Sequence, residues 1–465
     1  MSDPREHSQA EEERFAAERF ARHALSVSFP DLSADAVAQA KVFILDSFGV
    51  GIAGSTASGA AEILTAAKGW GSGDDARVWG RRDRMPAPLA AMINAFQGHC
   101  QEYDCVHEGA VLHPLTTLIP ALTSHCERAG GISGRDFLTA VAVGVDVTAG
   151  LGIASRSAMR FFRPATAGGF GATAALGRLM ELPEDRLARA FGLQYAQTSG
   201  TLQPHVEGSV ALPLQVGFNS RAAVQACDLA RAGVVGPLDV FEGPYGYLRL
   251  FEGEWDLDPV FDNLGKVWRV AELSHKPYPA GRATHAGVEG IIRLREEHGF
   301  TVEDVEAVTI VGPPVTARLC ARPDMLEPKQ NYAQLCMSYI AAKVLLRGEI
   351  DLAHYRGDEL TDPLTHEVAR KITMLSDGSD KPNALVPVDV TIRLKNGTEL
   401  SWRCEQMLAS PQRRLSRELH LKKFRRCWEF AADALTADAR ETLIAMVDDL
   451  ETVRDMREVA RLLAP

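Results

Sequence analysis

VPVDVTIRLKNGTELSWRC, residues 386–404, consists of two alternating, β-branched runs on either side of Lys395-Asn396-Gly397-Thr398. An Asn-Gly between two such runs is a strong hairpin signal, because a tight two-residue turn needs positive φ at its centre. Val305–Val311 (VEAVTIV) alternates in the same way, and the text between the two regions, at 283–298 and 329–347, is helical. These strands interrupt a chain that otherwise reads as helix. The segment 269–405 is therefore predicted as a small α+β domain.

Upstream of it, Ser33 is placed as an N-cap before Val37, Ile44, Leu45 and Phe48 at helical spacing. Ala-rich segments follow at 58–67, 86–98, 115–128, 135–153, 168–181, 185–199 and 219–231, punctuated by Gly, Pro and Asp. No GxGxxG follows a strand, so a dinucleotide fold is not expected. Downstream, Leu443, Met446, Val447 and Leu450 share one helical face. The expected class is mainly α with α+β: a large all-helical domain built from 13–268 and a C-terminal return at 406–465, with the α+β lid inserted. Residues 1–12 are expected to be frayed, and the cleft between the domains is where a small-molecule site is expected.

Composition narrows the function. The 465 residues carry 50 Lys and Arg against 61 Asp and Glu, a net charge of −11, without a basic block. A nucleic-acid partner is not expected from such a chain. No run of 18 uncharged apolar residues occurs, so no membrane span is expected, and the polar, acidic N-terminus has no apolar signal-peptide core. Eight scattered cysteines in a chain long enough to build its own core suit reduced thiols. A cytoplasmic protein is the expectation.

Polar chemistry collects in two stretches. In His99-Cys100-Gln101-Glu102-Tyr103-Asp104-Cys105-Val106-His107-Glu108, followed by His113-Pro114, three histidines and three carboxylates lie close together. The spacing fits no CxxC or HExxH arrangement, so no metal is expected. A pocket wall offering carboxylates and imidazoles for proton transfer is the preferred reading; a polar helix end on the surface is the plain one. The second stretch, Ser274-His275-Lys276-Pro277-Tyr278-Pro279-Ala280-Gly281-Arg282-Ala283-Thr284-His285, sits at the domain junction and runs into a helix. A helix start beside an Arg suits a carboxylate clamp. Arg163 precedes a Gly-rich helix start, where close helix packing is an equal explanation for the glycines. Cys100 and Cys105 read as small side chains, and His205 as an ordinary histidine.

Together these stretches resemble the MmgE/PrpD family, which includes 2-methylcitrate dehydratase, cis-aconitate decarboxylase and iminodisuccinate epimerase. The resemblance rests on LDSFGVGIAGS (45–55), NAFQGHCQEYDCVHEGAVLHP (94–114), RPATAGGFGATAALGRLMEL (163–182), EGS (207–209) and KPYPAGRATHAGVEG (276–290), in collinear order. It implies a helical domain with an inserted lid, a homodimer, no obligatory metal or organic cofactor, and a small di- or tricarboxylate substrate. The family's HxxDxDD…HP segment falls on His99, Glu102, Asp104 and His113, with Glu for the first Asp and Cys105 for the last. Its lid Lys falls on Lys276, a Tyr on Tyr339, and a Thr-His on Thr284-His285. Three positions depart from decarboxylase-like members: Arg163 stands for a His, Leu212 for a Lys and Gly281 for a His.

The leading expectation is a cofactor-independent hydro-lyase that dehydrates a hydroxylated di- or tricarboxylate, in the manner of 2-methylcitrate dehydratase. His113 or Asp104 would be the base, and Tyr339 or His107 the acid. His99, Glu102, Arg163, Arg282, His285 and Lys276 would bind and polarise the substrate. The alternatives are an epimerase of a dicarboxylate, with Lys276 and His113 on opposite faces, and a non-catalytic carboxylate-binding member.

Overall fold

The computed structural model describes residues 15–381 and 383–465; the segment 1–12, expected to be frayed, lies outside the described residues. The helical body contains Ala16–Ser26, Ala34–Gly54, Ala87–His99, Pro114–Ala129, Gly134–Ala154, Arg163–Leu179, Glu184–Tyr195 and Ala211–Arg231. They close around an aromatic and aliphatic core that includes Phe20, Phe43, Leu118, Phe137, Phe170 and Phe191. The chain returns to that same core through Arg417–Trp428 and Ala437–Asp448, which contribute Phe424, Trp428, Leu443 and Val447. A second apolar cluster, from Ala280 to Met407, belongs to the lid. The protein is mainly α with a smaller α+β part.

Small residues let the body's helices close up. A Cβ on Gly171 would lie 2.3 Å from the Gly144 carbonyl oxygen and 1.8 Å from Thr148 Oγ1 on the facing helix. Backbone cannot yield as a side-chain tip can. Gly171→Ala is therefore expected to cost about 1–3 kcal/mol, read as a lowered urea midpoint with an unchanged slope. The sequence placed the start of this helix at 168. It starts at Arg163, because Pro164 in the first turn is compatible with helix and the glycines pack inside it. Ala211–Arg231 likewise begins earlier than the predicted 219, again with a proline, Pro213, in its first turn.

Two helices, Ala34–Gly54 and Gly134–Ala154, are long and apolar enough to cross a membrane by length and hydropathy, although charged residues such as Asp46 and Asp146 interrupt both. Of their apolar windows 67% and 94% are buried inside the protein, so core packing already accounts for their composition.

The body carries a short ribbon, β1 (Ala76–Arg77) with β2 (Arg84–Met85). The lid carries β3 (Val305–Gly312), β4 (Ile372–Ser376), β5 (Val388–Leu394) and β6 (Glu399–Cys404), in the order β4-β3-β5-β6. The predicted hairpin is β5–β6, with Val388 opposite Cys404 and Arg393 opposite Glu399. β4 runs parallel to β3 at the sheet edge. His285–His298 and Met337–Arg347 pack on the sheet through residues such as Ile291 and Ile340.

Candidate active site

Helix Ala87–His99 delivers His99 as its last residue. Its position is fixed by Gln97, whose Nε2 donates to the carbonyls of Gly51 at 3.0 Å and Trp79 at 2.9 Å. Glu102 then adopts φ 47°, a left-handed conformation unusual for a residue with a Cβ. The reversal it makes turns Glu102 and Asp104 back towards His99. Val111, at φ 53°, is a second such residue in this loop; the other two among the described residues are Glu181 and Ala409. Pro114 then opens helix Pro114–Ala129 and leaves His113 at its mouth.

The lid joins this loop through a backbone bridge. Val106 N donates to Ser274 O at 3.0 Å, and Ser274 N donates back to Val106 O at 2.8 Å. Two residues on, Lys276 is fully buried, with Nζ 2.8 Å from Glu102 Oε2 and 3.6 Å from Asp104 Oδ1. Asp104 Oδ2 is the hub of the cluster. It faces His99 Nδ1 at 2.9 Å and His113 Nδ1 at 3.2 Å, and it accepts from Thr116 Oγ1 at 2.5 Å. The two imidazoles stand edge to face with centroids 5.0 Å apart.

These contacts set the charges. Burial alone would raise the carboxyl of Asp104, but His113, His99 and Lys276 outweigh it and hold it well below the usual range. Glu102 is lowered for the same reason, chiefly by Lys276 against its burial. Burial would pull His99 down; Asp104, by charge and hydrogen bond, and then Glu102 reverse this and raise it. His99 Nε2 is buried and has no hydrogen-bond partner among the described residues. His113 Nδ1 lies 2.8 Å from the Cys105 carbonyl, which can only accept. Nδ1 therefore carries the proton, and Nε2 is the lone pair of the neutral ring.

His99, Glu102 and His113 border a small cavity of about 80 Å³. Its other walls are largely apolar, with Phe162, Leu212, Gly281 and Leu335 among them, and His205 and Arg282 at its sides. Leu212 and Gly281, two of the three departures noted in the sequence, thus face the same space as the imidazoles.

Several expected site residues stand elsewhere. Arg163 turns away from the cavity, although its neighbours Phe162 and Pro164 line it. Its guanidinium is spent on Glu252 (Nε 3.1 Å, Nη2 2.8 Å), on the Ala110 carbonyl and on Ser155. It is not free to clamp a substrate carboxylate. Arg282 borders the cavity but donates Nε and Nη2 to Glu108 and Nη2 to the Leu408 carbonyl. Tyr339 lies inside the lid, donating to the carbonyls of His354 at 2.7 Å and Glu359 at 2.9 Å, so its hydroxyl proton is already engaged. His107 is held between Glu272 and the Ala110 amide, and His285 between the Ala280 carbonyl and Arg282; neither borders the cavity. Neither acid candidate from the sequence, Tyr339 or His107, therefore borders the cavity, whereas His99 does. His205, passed over in the sequence, lines the cavity with Arg322 Nη2 2.7 Å from its carbonyl.

His99, Asp104 and His113 come close enough to share an ion. However, the Lys276 ammonium sits beside Asp104 and the His113 Nδ1 lone pair is used by a proton, so the set fits proton transfer better than a metal. The second cluster, Asp46, His275 and His420, has Lys423 Nζ 2.7 Å from Asp46 in the position a cation would take.

Four other imidazoles are buried beside cations that disfavour a proton. Burial, then Arg322, lowers His205 to about 4; burial, then Lys423, lowers His420 to about 3. His275 and His285 are also lowered, by burial and neighbouring cations. A base depressed on folding stabilises fully above its unfolded pKa of about 6.5 and loses that contribution as pH falls. Asp104 and Glu102, lowered carboxylates, lose theirs only below about 4. The melting temperature is thus expected to fall steadily from pH 7 to 4.5. A calorimetric series flat across that window would contradict it.

The chain is similar to known proteins along almost its whole length. The MmgE/PrpD N-terminal domain matches residues 18–260, and the MmgE/PrpD C-terminal domain matches 278–452. The chain is 26% identical to cis-aconitate decarboxylase of Mus musculus over 95% of its length and 91% of that protein. It is also 26% identical to a cis-aconitate decarboxylase-like protein of Aspergillus oryzae, covering 93% and 94%. With cis-aconitate decarboxylase of Aspergillus terreus it shares 24%, covering 94% of each. With both domains matched in order along almost its whole length, the chain belongs to the MmgE/PrpD family.

Proposed function

We propose that the protein is a cofactor-independent lyase that removes water from a small hydroxycarboxylate. One observation carries this reading: a single oxygen of Asp104 orients two imidazoles of unlike character at one cavity wall. His113 Nε2 takes the proton α to the substrate carboxylate, the C–O bond at the β carbon breaks, and His99 Nε2–H protonates the departing hydroxyl. The products are an alkene and water. Lys276 keeps Glu102 and Asp104 ionised without letting their charges repel the substrate. A base and an acid in position contribute about 10²–10⁴-fold each.

The epimerase reading is weaker. It needs a second base on the opposite face, and Lys276 is buried in a double ion pair. A decarboxylase reading follows from the names of the relatives. One experiment separates the three: purified protein is incubated with hydroxy acids and with cis-aconitate in deuterium oxide, recording ultraviolet absorbance, carbon dioxide and isotope content. Alkene with loss of water supports the lyase proposed here. Deuterium exchange without loss of water, or carbon dioxide without dehydration, overturns it.

A further inference from the structure

The C-terminal return of the chain reaches the site from behind. Lys423, on helix Arg417–Trp428, is buried. Its Nζ donates to the Tyr103 carbonyl at 2.8 Å, lies 2.7 Å from Asp46 Oδ1 on helix Ala34–Gly54, and stands 4.2 Å from the centroid of the Tyr103 ring. Tyr103 sits between Glu102 and Asp104 in the chain, and its hydroxyl donates to the carbonyl of Pro277, next to Lys276, at 3.3 Å. Tyr103 and Lys423 line a separate cleft, whereas Glu102 lines the cavity. The turn that carries both site carboxylates is thus held from its other side.

That hold bears on the geometry of the site. A peptide group is planar, so pinning the Tyr103 oxygen fixes the plane from which the Asp104 Cα departs. Glu102, just before it, has the left-handed φ of 47°, which persists only where the surroundings over-determine it. Residues 100–105 belong to no helix or strand, so side chains must supply the restraint. Asp46 anchors the ammonium: burial raises its carboxyl and Lys423 opposes this, with Asp104 raising it and Lys276 lowering it from the site. His275 and His420, whose rings stand 5.0 Å apart beside this pair, are lowered chiefly by burial, so Lys423 is the cation Asp46 faces.

We infer that Lys423 is a positioning residue: anchored on Asp46, it holds the Tyr103–Asp104 peptide and so sets the Asp104 carboxylate against His99. Lys423 does not line the cavity and acts through Asp104. For its effect on turnover the inference rests on the lyase reading; for the placement of Asp104 it does not.

The test removes the pair together, as Lys423→Met with Asp46→Asn, which strands no buried charge and takes the donor from the Tyr103 carbonyl. The His99 ring is titrated in wild type and variant by NMR of isotope-labelled histidine, its signal identified by its loss in His99→Gln. Asp104 raises His99 in the wild type. A displaced Asp104 gives that up, so the His99 midpoint is expected to fall by about one unit or more. Loss of the ammonium charge by itself would move the midpoint the other way, because removing a nearby cation favours the charged ring. On any hydroxy acid that the wild type dehydrates, kcat should fall about 10²-fold with KM unchanged. Circular dichroism reports whether the variant is folded; should it not be, Lys423→Gln, one bond shorter and uncharged, should lower the His99 midpoint in the same direction. An unchanged or raised midpoint in a folded variant overturns the inference, whatever the turnover. A lowered midpoint with unchanged kcat, or with no alkene from the wild type, leaves Lys423 as the positioning residue and overturns the lyase reading with His99 as its acid.

Discussion

Asp104→Asn is expected to lower kcat by about 10²–10⁴-fold while the protein folds normally. Asp104 Oδ2 accepts from His99 Nδ1–H and from Thr116 Oγ1, and its charge lies 3.2 Å from His113 Nδ1, whose proton is donated to the Cys105 carbonyl. An amide oxygen can accept a hydrogen bond but carries no charge to stabilise a protonated His99, and the amide NH₂ can face one ring nitrogen donor to donor. Both proton-transfer groups lose orientation at once, so the effect exceeds that of an ordinary polar substitution. The pH profile distinguishes this from simple misfolding. His99 is raised in the wild type, and in the proposed role of acid it makes activity fall as pH rises through its pKa. In the variant that limb should move to lower pH. An unshifted limb would remove His99 from the acid role, whatever happened to kcat.

The second large effect is on stability. Glu252→Ala is expected to destabilise the fold by about 3–5 kcal/mol, because it leaves the buried Arg163 guanidinium uncompensated. Both side chains are almost fully buried, and Tyr247 adds a hydrogen bond to Glu252 Oε1 at 2.7 Å. Arg163→Met combined with Glu252→Leu should recover most of that loss, since an apolar pair of similar volume removes the stranded charge. Chemical denaturation of the two variants measures both. If the single variant unfolds at the wild-type denaturant midpoint, Arg163 is not the clamp that holds the Ala110 carbonyl and the loop between His107 and His113.

The hairpin at 386–404 and the strand at 305 were legible because alternation and the Asn-Gly turn are local signals. β4 was not. Ile372–Ser376 is a short edge strand with only two buried positions, so it has no alternation long enough to stand out. The polar cluster at 99–113 was legible as chemistry, since its members lie within one loop. Its division of labour was not, because the tautomer of His113 depends on the Cys105 carbonyl and the charge of His99 on Asp104. Arg163 was misjudged for a related reason. Its partner lies 89 residues on, in the π-helical turn Leu248–Glu252, and no spacing rule connects the two. Lys276 could be assigned by resemblance alone; what puts it beside Glu102 is a backbone bridge across 168 residues of chain, Val106 to Ser274.

That bridge also makes the domain junction respond to protons. Any motion that draws Ser274 away from Val106 draws the ammonium of Lys276 away from two carboxylates that remain side by side in the helical body. Losing that cation raises both carboxyls, because burial and their mutual charge are then opposed by the imidazoles alone. Parting of the lid would then favour proton uptake, so a rise in pH favours the closed form and a fall disfavours it.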